Sequence, residues 1–145
     1  MIYWFYGQPG AGKTTLGNCL QEVLKKKWGS DKIIRIDGDE MRLIFKNQDY
    51  SEEGRRNNLK KVNDLIRFLY HKNYTVIVSV VAPYEDIRNE IHDLDPMMIY
   101  TYTSEIRGRE KYHTEDMETG KYDIWMNTDN RLPIQCINEI LTLYR

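Results

Sequence analysis

Gly7, Gly10 and Gly12, followed at once by Lys13, Thr14 and Thr15, set three residues without side chains against one ammonium and two hydroxyls. From Gly7 to Thr14 the spacing fits G-x-x-x-x-G-K-[ST]. Main-chain N–H groups of such a loop can curl around phosphate oxygens because no Cβ stands in the way. Lys13 would then neutralise the terminal phosphates, and the Thr14 hydroxyl would help hold Mg2+ between them. Gly7, Gly10, Ala11, Gly12, Lys13, Thr14 and Thr15 are therefore the candidate contacts for ATP. A second group of reactive residues stands in "RIDGDEMR", where Asp37 and Asp39 flank a glycine. Two carboxylates beside a triphosphate repel it unless a cation intervenes or one of them takes a proton from an attacking hydroxyl. That is the logic of a kinase.

Such residues need elements to position them, and the apolar pattern supplies these. Short apolar runs alternate with longer helical periods, the rhythm of an α/β domain. Strands are predicted at Ile2–Tyr6, Lys32–Ile36, Thr75–Val81, Met97–Tyr102 and Tyr122–Met126, and helices at Thr14–Trp28, Ser51–Lys72, Tyr84–His92 and Leu132–Tyr144. The run TVIVSVV is mostly β-branched and nearly all apolar, as a central parallel strand covered on both faces requires. Ser51 with Glu52 and Glu53 makes a capped, acidic first turn for the long central helix. In the last helix Leu132, Cys136, Ile137, Ile140, Leu141 and Tyr144 share one face. The glycine-rich loop lies between the first strand and the first helix, the context its motif demands, while Asp37 and Asp39 follow the second strand, at the sheet edge where ligands gather in open parallel sheets.

The 145 residues predict one domain. Lys and Arg number 21 against 22 Asp and Glu, a balance that argues against nucleic acid as a partner. No stretch approaches the roughly 20 apolar residues of a membrane span, so the expected setting is cytoplasmic, with no membrane partner. Cys19 and Cys136 read as small core hydrophobes, and His71, His92 and His113 are too scattered for a metal site. Trp4 reads as sheet core. The third strand runs into VVAPYED without the acidic tip many motor-type nucleotidases carry, and no N-K-x-D guanine signature occurs.

These stretches together resemble the adenylylsulfate kinase (APS kinase) family. The matching residues are GAGKTT from Gly10 to Thr15, DGDEMR from Asp37 to Arg42, SEEGRRNN from Ser51 to Asn58, and APYEDIR from Ala82 to Arg88. The resemblance implies a three-layer P-loop NTPase fold on a five-stranded parallel sheet of order 2-3-1-4-5. It also implies transfer of the γ-phosphoryl group of ATP to the 3′-hydroxyl of adenylyl sulfate. Asp37, with Thr14, would organise the metal and Asp39 the acceptor hydroxyl, with the base open between the two aspartates. Arg42, Arg55 and Asn58 would grip the sulfonucleotide, and Pro83 and Tyr84 would line the same site. Guanidinium forks and flat side chains suit a compact anion beside an aromatic base, an inventory that Arg88 extends. The oligomeric state leaves no readable trace, and the resemblance admits a homodimer.

The chain departs from its resemblance in "TSEIRGREKYHTEDMETGKYD", which is shorter than the family's mobile clamp, and at Ala82 and Glu85, where the family has a serine and commonly a basic residue. Arg107, Arg109 and Lys111 remain in that stretch. A segment of about 103–121 is therefore expected to fold over the phosphates as a lid, with Arg107 and Arg109 both candidates for stabilising the transferred group. Two other readings stand beside this one. The chain could be a kinase of the same build acting on a sugar, a nucleoside or a modified polynucleotide base, or a nucleotide-binding module that transfers nothing.

Overall fold

β1 (Ile2–Tyr6) is buried along its whole length, so its side chains must find apolar partners on both faces. The computed structural model, which describes residues 1–29 and 31–143, supplies them with a sheet between two helical layers. All pairings are parallel, in the order β2-β3-β1-β4-β5 that the resemblance implies. On one face Ile2, Trp4 and Tyr6 meet Leu59, Val62 and Ile66, and on the other Tyr3 and Phe5 meet Leu16, Leu20 and Ile137. Each Leu or Ile fully buried in this way contributes about 1.5–3 kcal/mol.

α1 (Lys13–Trp28) stops at Gly29, whose φ of 60° lets its N–H return to the Lys25 carbonyl, while Lys25, Lys26 and Lys27 complement the negative helix end. β2 (Ile33–Asp37) leads directly into α2 (Gly38–Phe45), a helix absent from the predicted set. Its aspartates and glycine resemble turn chemistry. The Asp37 side chain instead caps the helix by accepting from the Asp39 N–H at 3.2 Å. α3 (Glu52–His71) is capped by Ser51, whose hydroxyl accepts from the Gly54 N–H.

β3 (Thr75–Ser79) ends two residues before its predicted limit. The single helix predicted over Tyr84–His92 is a short α4 (Glu85–Arg88) followed by a 3-10 stretch, Asn89–Leu94. α3 diverts two of its carbonyls: Asn63 Nδ2 donates to Ile87 O and Arg67 to Glu90 O. β4 (Met97–Tyr102) lies as predicted, while β5 (Ile124–Asn127) starts two residues late. α5 is Pro133–Leu143, and the predicted Tyr144 falls outside the described residues. Trp4 is wholly buried, as are Cys136, Ile137 and Ile140 on the α5 face, whereas Leu132 precedes the helix and is exposed, and both cysteines are free thiols. No described helix is long and apolar enough to cross a membrane.

Because every strand runs the same way, Tyr6, Asp37, Ser79, Tyr102 and Asn127 all end at one edge of the sheet. The loop before α1, the start of α2 and the segment 103–121 meet there.

Candidate active site

Backbone geometry builds the phosphate cradle. Gly7, Gly10 and Gly12 take φ of 144°, 86° and 106°, values that side chains resist. A Cβ on Gly7 would also overlap the Thr101 carbonyl oxygen, so β4 approaches the loop too closely for any other residue. Leu16 N–H returns to Gly12 O at 2.9 Å and starts α1, leaving the preceding amides at the positive end of the helix. Lys13 is buried, and its ammonium donates to Gln8 O at 2.7 Å. Burial, reinforced by the nearby Arg109 charge and partly opposed by Asp37 and Asp39, pulls its pKa down to about 8.

In front of the cradle the Thr14 hydroxyl donates to Asp37 Oδ2 at 2.7 Å, with Arg35 3.9 Å from the same oxygen. One hydroxyl and one carboxylate fit Mg2+, which takes few protein ligands and completes its shell with water and phosphate oxygens. Among the described residues no cluster of three or more His, Cys, Asp or Glu could hold a metal by itself. When bound, the ion would supply Lewis-acid neutralisation of the phosphates from Thr14 and Asp37.

One continuous cavity of about 880 Å³ runs from this cradle along the sheet edge. That is within the roughly 300–1,000 Å³ of ligand sites. Gly10, Gly12, Lys13, Thr14, Thr15, Asp37 and Arg109 line its cradle end, and Asp39, Arg42, Arg55, Asn58 and Pro83 its far end. Asn58 is 4% exposed, and its Oδ1 is buried without a hydrogen-bond partner. A ligand donor at this wall would satisfy it. Arg42 packs 4.1 Å over the Tyr50 ring and holds the Asn47 and Asp49 carbonyls, making a flat wall that can receive a planar base.

The remaining predicted residues lie differently. Gly7 and Ala11 shape the loop from behind and do not line the cavity. Tyr84 is 2% exposed and is likewise absent from the lining. Its hydroxyl donates to Asp116 at 2.8 Å, and burial together with that bond pushes its pKa up to about 12. Arg88 is buried and faces no ligand space. It stacks 4.1 Å over Tyr6 and donates to the carbonyls of Ala82, Glu118 and Thr119.

Arg107 and Arg109 also part company. Both line the cavity, but the Arg107 guanidinium is engaged by protein, donating to Gly10 O, Ala11 O, Thr128 and Glu105. Arg109 lines the cavity close enough to Lys13 for the two charges to repel, and it packs 5.2 Å from the Tyr112 ring centre.

Sequence reasoning missed the residues that fasten the segment 103–121. Gln8 donates to Thr114 O at 2.7 Å and accepts from Thr114 N–H at 2.8 Å. Arg55 forms a fork with Asp116 at 3.0 and 3.1 Å. Glu118 N–H reaches Pro83 O. Tyr50 and Asp116 each stand beside a residue already singled out, but only the folded contact reveals them.

A family model for adenylylsulphate kinase matches residues 1–106. A cytidine diphosphoramidate kinase of Campylobacter jejuni is 35% identical over 101 residues, 70% of this chain and 56% of its own length. An adenylyl-sulfate kinase of Picosynechococcus is 36% identical over 89 residues, 61% of this chain and 49% of its own. The chain spans about half the length of the curated relatives it matches. Among solved structures, an APS kinase of Mycobacterium tuberculosis in complex with AMPPNP and APS superposes with a TM-score of 0.79 at 18% identity, covering 98% of this chain and 95% of that one. That superposition bears on the fold alone.

Proposed function

The chain belongs to the adenylylsulphate kinase family, and on that premise we propose that it transfers the γ-phosphoryl group of ATP to a sugar hydroxyl of a nucleotide with a compact anionic 5′ tail. The carrying observation is the single cavity that joins the Lys13 cradle to the Arg42, Arg55 and Asn58 wall past Asp37 and Asp39. Donor and acceptor can meet there without crossing solvent.

The acceptor oxygen bonds to the γ-phosphorus as the bond from that phosphorus to the bridging oxygen of ADP breaks, and the hydroxyl proton passes to a carboxylate. Asp39 is the better base, because Asp37 is already committed to Thr14 and to capping α2. Lys13 and Arg109 hold the negative charge of the transferred group, while Thr14 and Asp37 are the residues that would hold Mg2+. Arg107 lines the cavity too but braces the cradle through the Gly10 and Ala11 carbonyls. The segment 103–121 acts as a lid that shields the transfer from water.

Adenylyl sulfate, phosphorylated on its 3′-hydroxyl, is the acceptor the family name supplies. A cytidine nucleotide ending in a phosphoramidate is the second reading, supported by the Campylobacter relative. A coupled assay of ADP release with ATP, Mg2+ and each acceptor tests the proposal. Acceptor-dependent ADP release is expected. ATP binding by calorimetry with no product from any nucleotide acceptor would overturn it in favour of a non-catalytic module.

A further inference from the structure

One residue breaks the apolar pattern on the α1 side of the sheet. Along β2, Ile33, Arg35 and Asp37 share a face, and Ile33 joins Leu16, Leu20 and Leu24 in the core there. Arg35 pairs with Ile77 of β3, and Asp37 with Ser79. Gly17 of α1 makes the room. A Cβ on it would meet Ser79 Oγ at 2.5 Å, Ile77 Cγ2 at 3.5 Å and Arg35 Cδ at 3.7 Å. Ser79 and the Arg35 stem therefore fill a slot that the glycine leaves open under the helix. The Ser79 hydroxyl is satisfied there, donating to Lys13 O at 2.8 Å. Arg35 is not: its Nη1 is buried with no hydrogen-bond partner among the described residues. Asp37 Oδ2 stands 3.9 Å from it, within ion-pair range but beyond a hydrogen bond. A buried cation with an unused donor costs stability, and an apolar side chain would fill the slot at less expense. What Arg35 does reach is the carboxylate that accepts from Thr14.

We propose that Arg35 is a positioning residue that acts through Asp37 and makes metal occupancy of the Thr14 and Asp37 pair depend on nucleotide. Its charge offsets that of Asp37, so a divalent cation arriving alone meets a carboxylate already partly neutralised. The same offset spares the incoming phosphates the repulsion of an uncompensated Asp37. Once they lie in the cradle, their oxygens supply the negative charge and the ligands that the metal needs. Arg35 thus holds off the free ion and admits the metal with its nucleotide. The inference rests on the kinase reading for the role of the metal, but it concerns binding and not transfer.

The test uses the full chain without acceptor and two probes: Mn2+ alone, followed by electron paramagnetic resonance, and ADP in the presence of EDTA, followed by calorimetry. Arg35→Met keeps an unbranched stem without the charge, and apolar replacement of a buried ion is often neutral for folding. It is expected to bind Mn2+ about tenfold more tightly than the wild type, the order of effect that one charge has on a divalent ion at this range through water. Its affinity for metal-free ADP is expected to fall about threefold, because the phosphates then face Asp37 uncompensated. Arg35→Lys keeps the charge and should stay near the wild type with both probes. The opposite signs guard against a merely structural role, since a loosened site would weaken both ligands together. If Arg35→Met leaves either affinity unmoved or weakens both, or if Arg35→Lys behaves like Arg35→Met, the inference is overturned while the kinase stands. Both shifts present without transfer to any nucleotide acceptor would remove the kinase and leave Arg35 in this role. A wild-type chain that binds no ADP overturns both.

Discussion

The phosphate cradle and the segment 103–121 face each other across one cavity, yet they are held by opposite means. The cradle is fixed by its own backbone: three glycines at positive φ, an N–H from Ala11 to Gln8 O, and Lys13 folded back to that same carbonyl five residues away. The facing segment has a single 3-10 turn, Glu110–Tyr112, and no buried apolar residue between Ile106 and Tyr122. It stays in place through side chains from distant elements: Gln8 at 106 residues' separation, Arg55 at 61 and Arg88 at 30. One region is a rigid part of the sheet edge. The other is a strap whose closure is a sum of polar contacts, each worth about 0.5–1.5 kcal/mol and more where a charge is involved.

If the cradle carries the chemistry, its one buried ammonium is the costliest group to lose. Lys13→Ala should lower kcat about 100-fold or more, as loss of a preorganised charge donor does, and a steady-state assay with saturating ATP reads it. Turnover near that of the wild type would move the chemistry away from the cradle. The strap arginines sharpen the contrast. Arg109→Ala should lower kcat about tenfold with an unchanged melting temperature, because its guanidinium faces the cavity and carries little of the fold. Arg107→Ala should do the reverse and lower Tm by several degrees, since it removes four hydrogen bonds, to the Gly10, Ala11 and Thr128 carbonyls and the Thr128 hydroxyl, and leaves Ala11 O only its bond from Thr128 among these. Calorimetry paired with kinetics on both variants separates the two, and exchanged phenotypes would reverse the assignments.

The same division explains what could be read beforehand. The cradle was legible because its determinants are contiguous: Gly7 to Thr15 encode loop, helix start and ammonium in one stretch. β1, α1 and α3 were legible for a like reason, through local periodicity and the Ser51 cap. α2 escaped because Asp37-Gly38-Asp39 has the composition of a turn, and its cap shows only when the Asp37 side chain is seen to turn back to Asp39 N–H. The split of the helix after Tyr84 was hidden because its cause lies on α3, in Asn63 and Arg67. Arg88 reads as a ligand for an anion until burial and three carbonyl partners are known. The strap was the least legible part, as every partner that holds it is far away in the chain.

Lys13 also ties the cradle to pH. With its pKa at about 8 in the free protein, it is an ammonium below that pH and loses its proton above it. Phosphates favour the charged form, so nucleotide binding above pH 8 must take up a proton. ATP affinity should then fall as pH rises through 8, approaching tenfold per unit until the pKa of the bound state is reached. Calorimetric titrations at pH 9 in buffers of different ionisation enthalpy should show uptake approaching one proton, and Arg109→Ala should move the onset to higher pH by removing the neighbouring charge. Affinity flat from pH 7 to 9.5 would contradict the buried-ammonium account.

The smallest expected effect falls on the one residue that belongs to both regions. Gln8 occupies an unspecified position of the phosphate loop, and its amide makes a two-way bridge to the Thr114 backbone. Gln8→Ala removes both bonds and leaves the glycines and Lys13 in place. Local opening of the strap should become about tenfold more frequent, seen as faster hydrogen exchange of the Thr114 amide. The global Tm should stay within about 1–2 °C, because no apolar core is disturbed. A rise in acceptor KM of a few-fold should accompany the opening, with kcat less affected. If Gln8→Ala instead lowers Tm as far as Arg107→Ala, the cradle and the strap melt as a single cooperative unit, and the distinction between a rigid edge and a polar closure has to be abandoned.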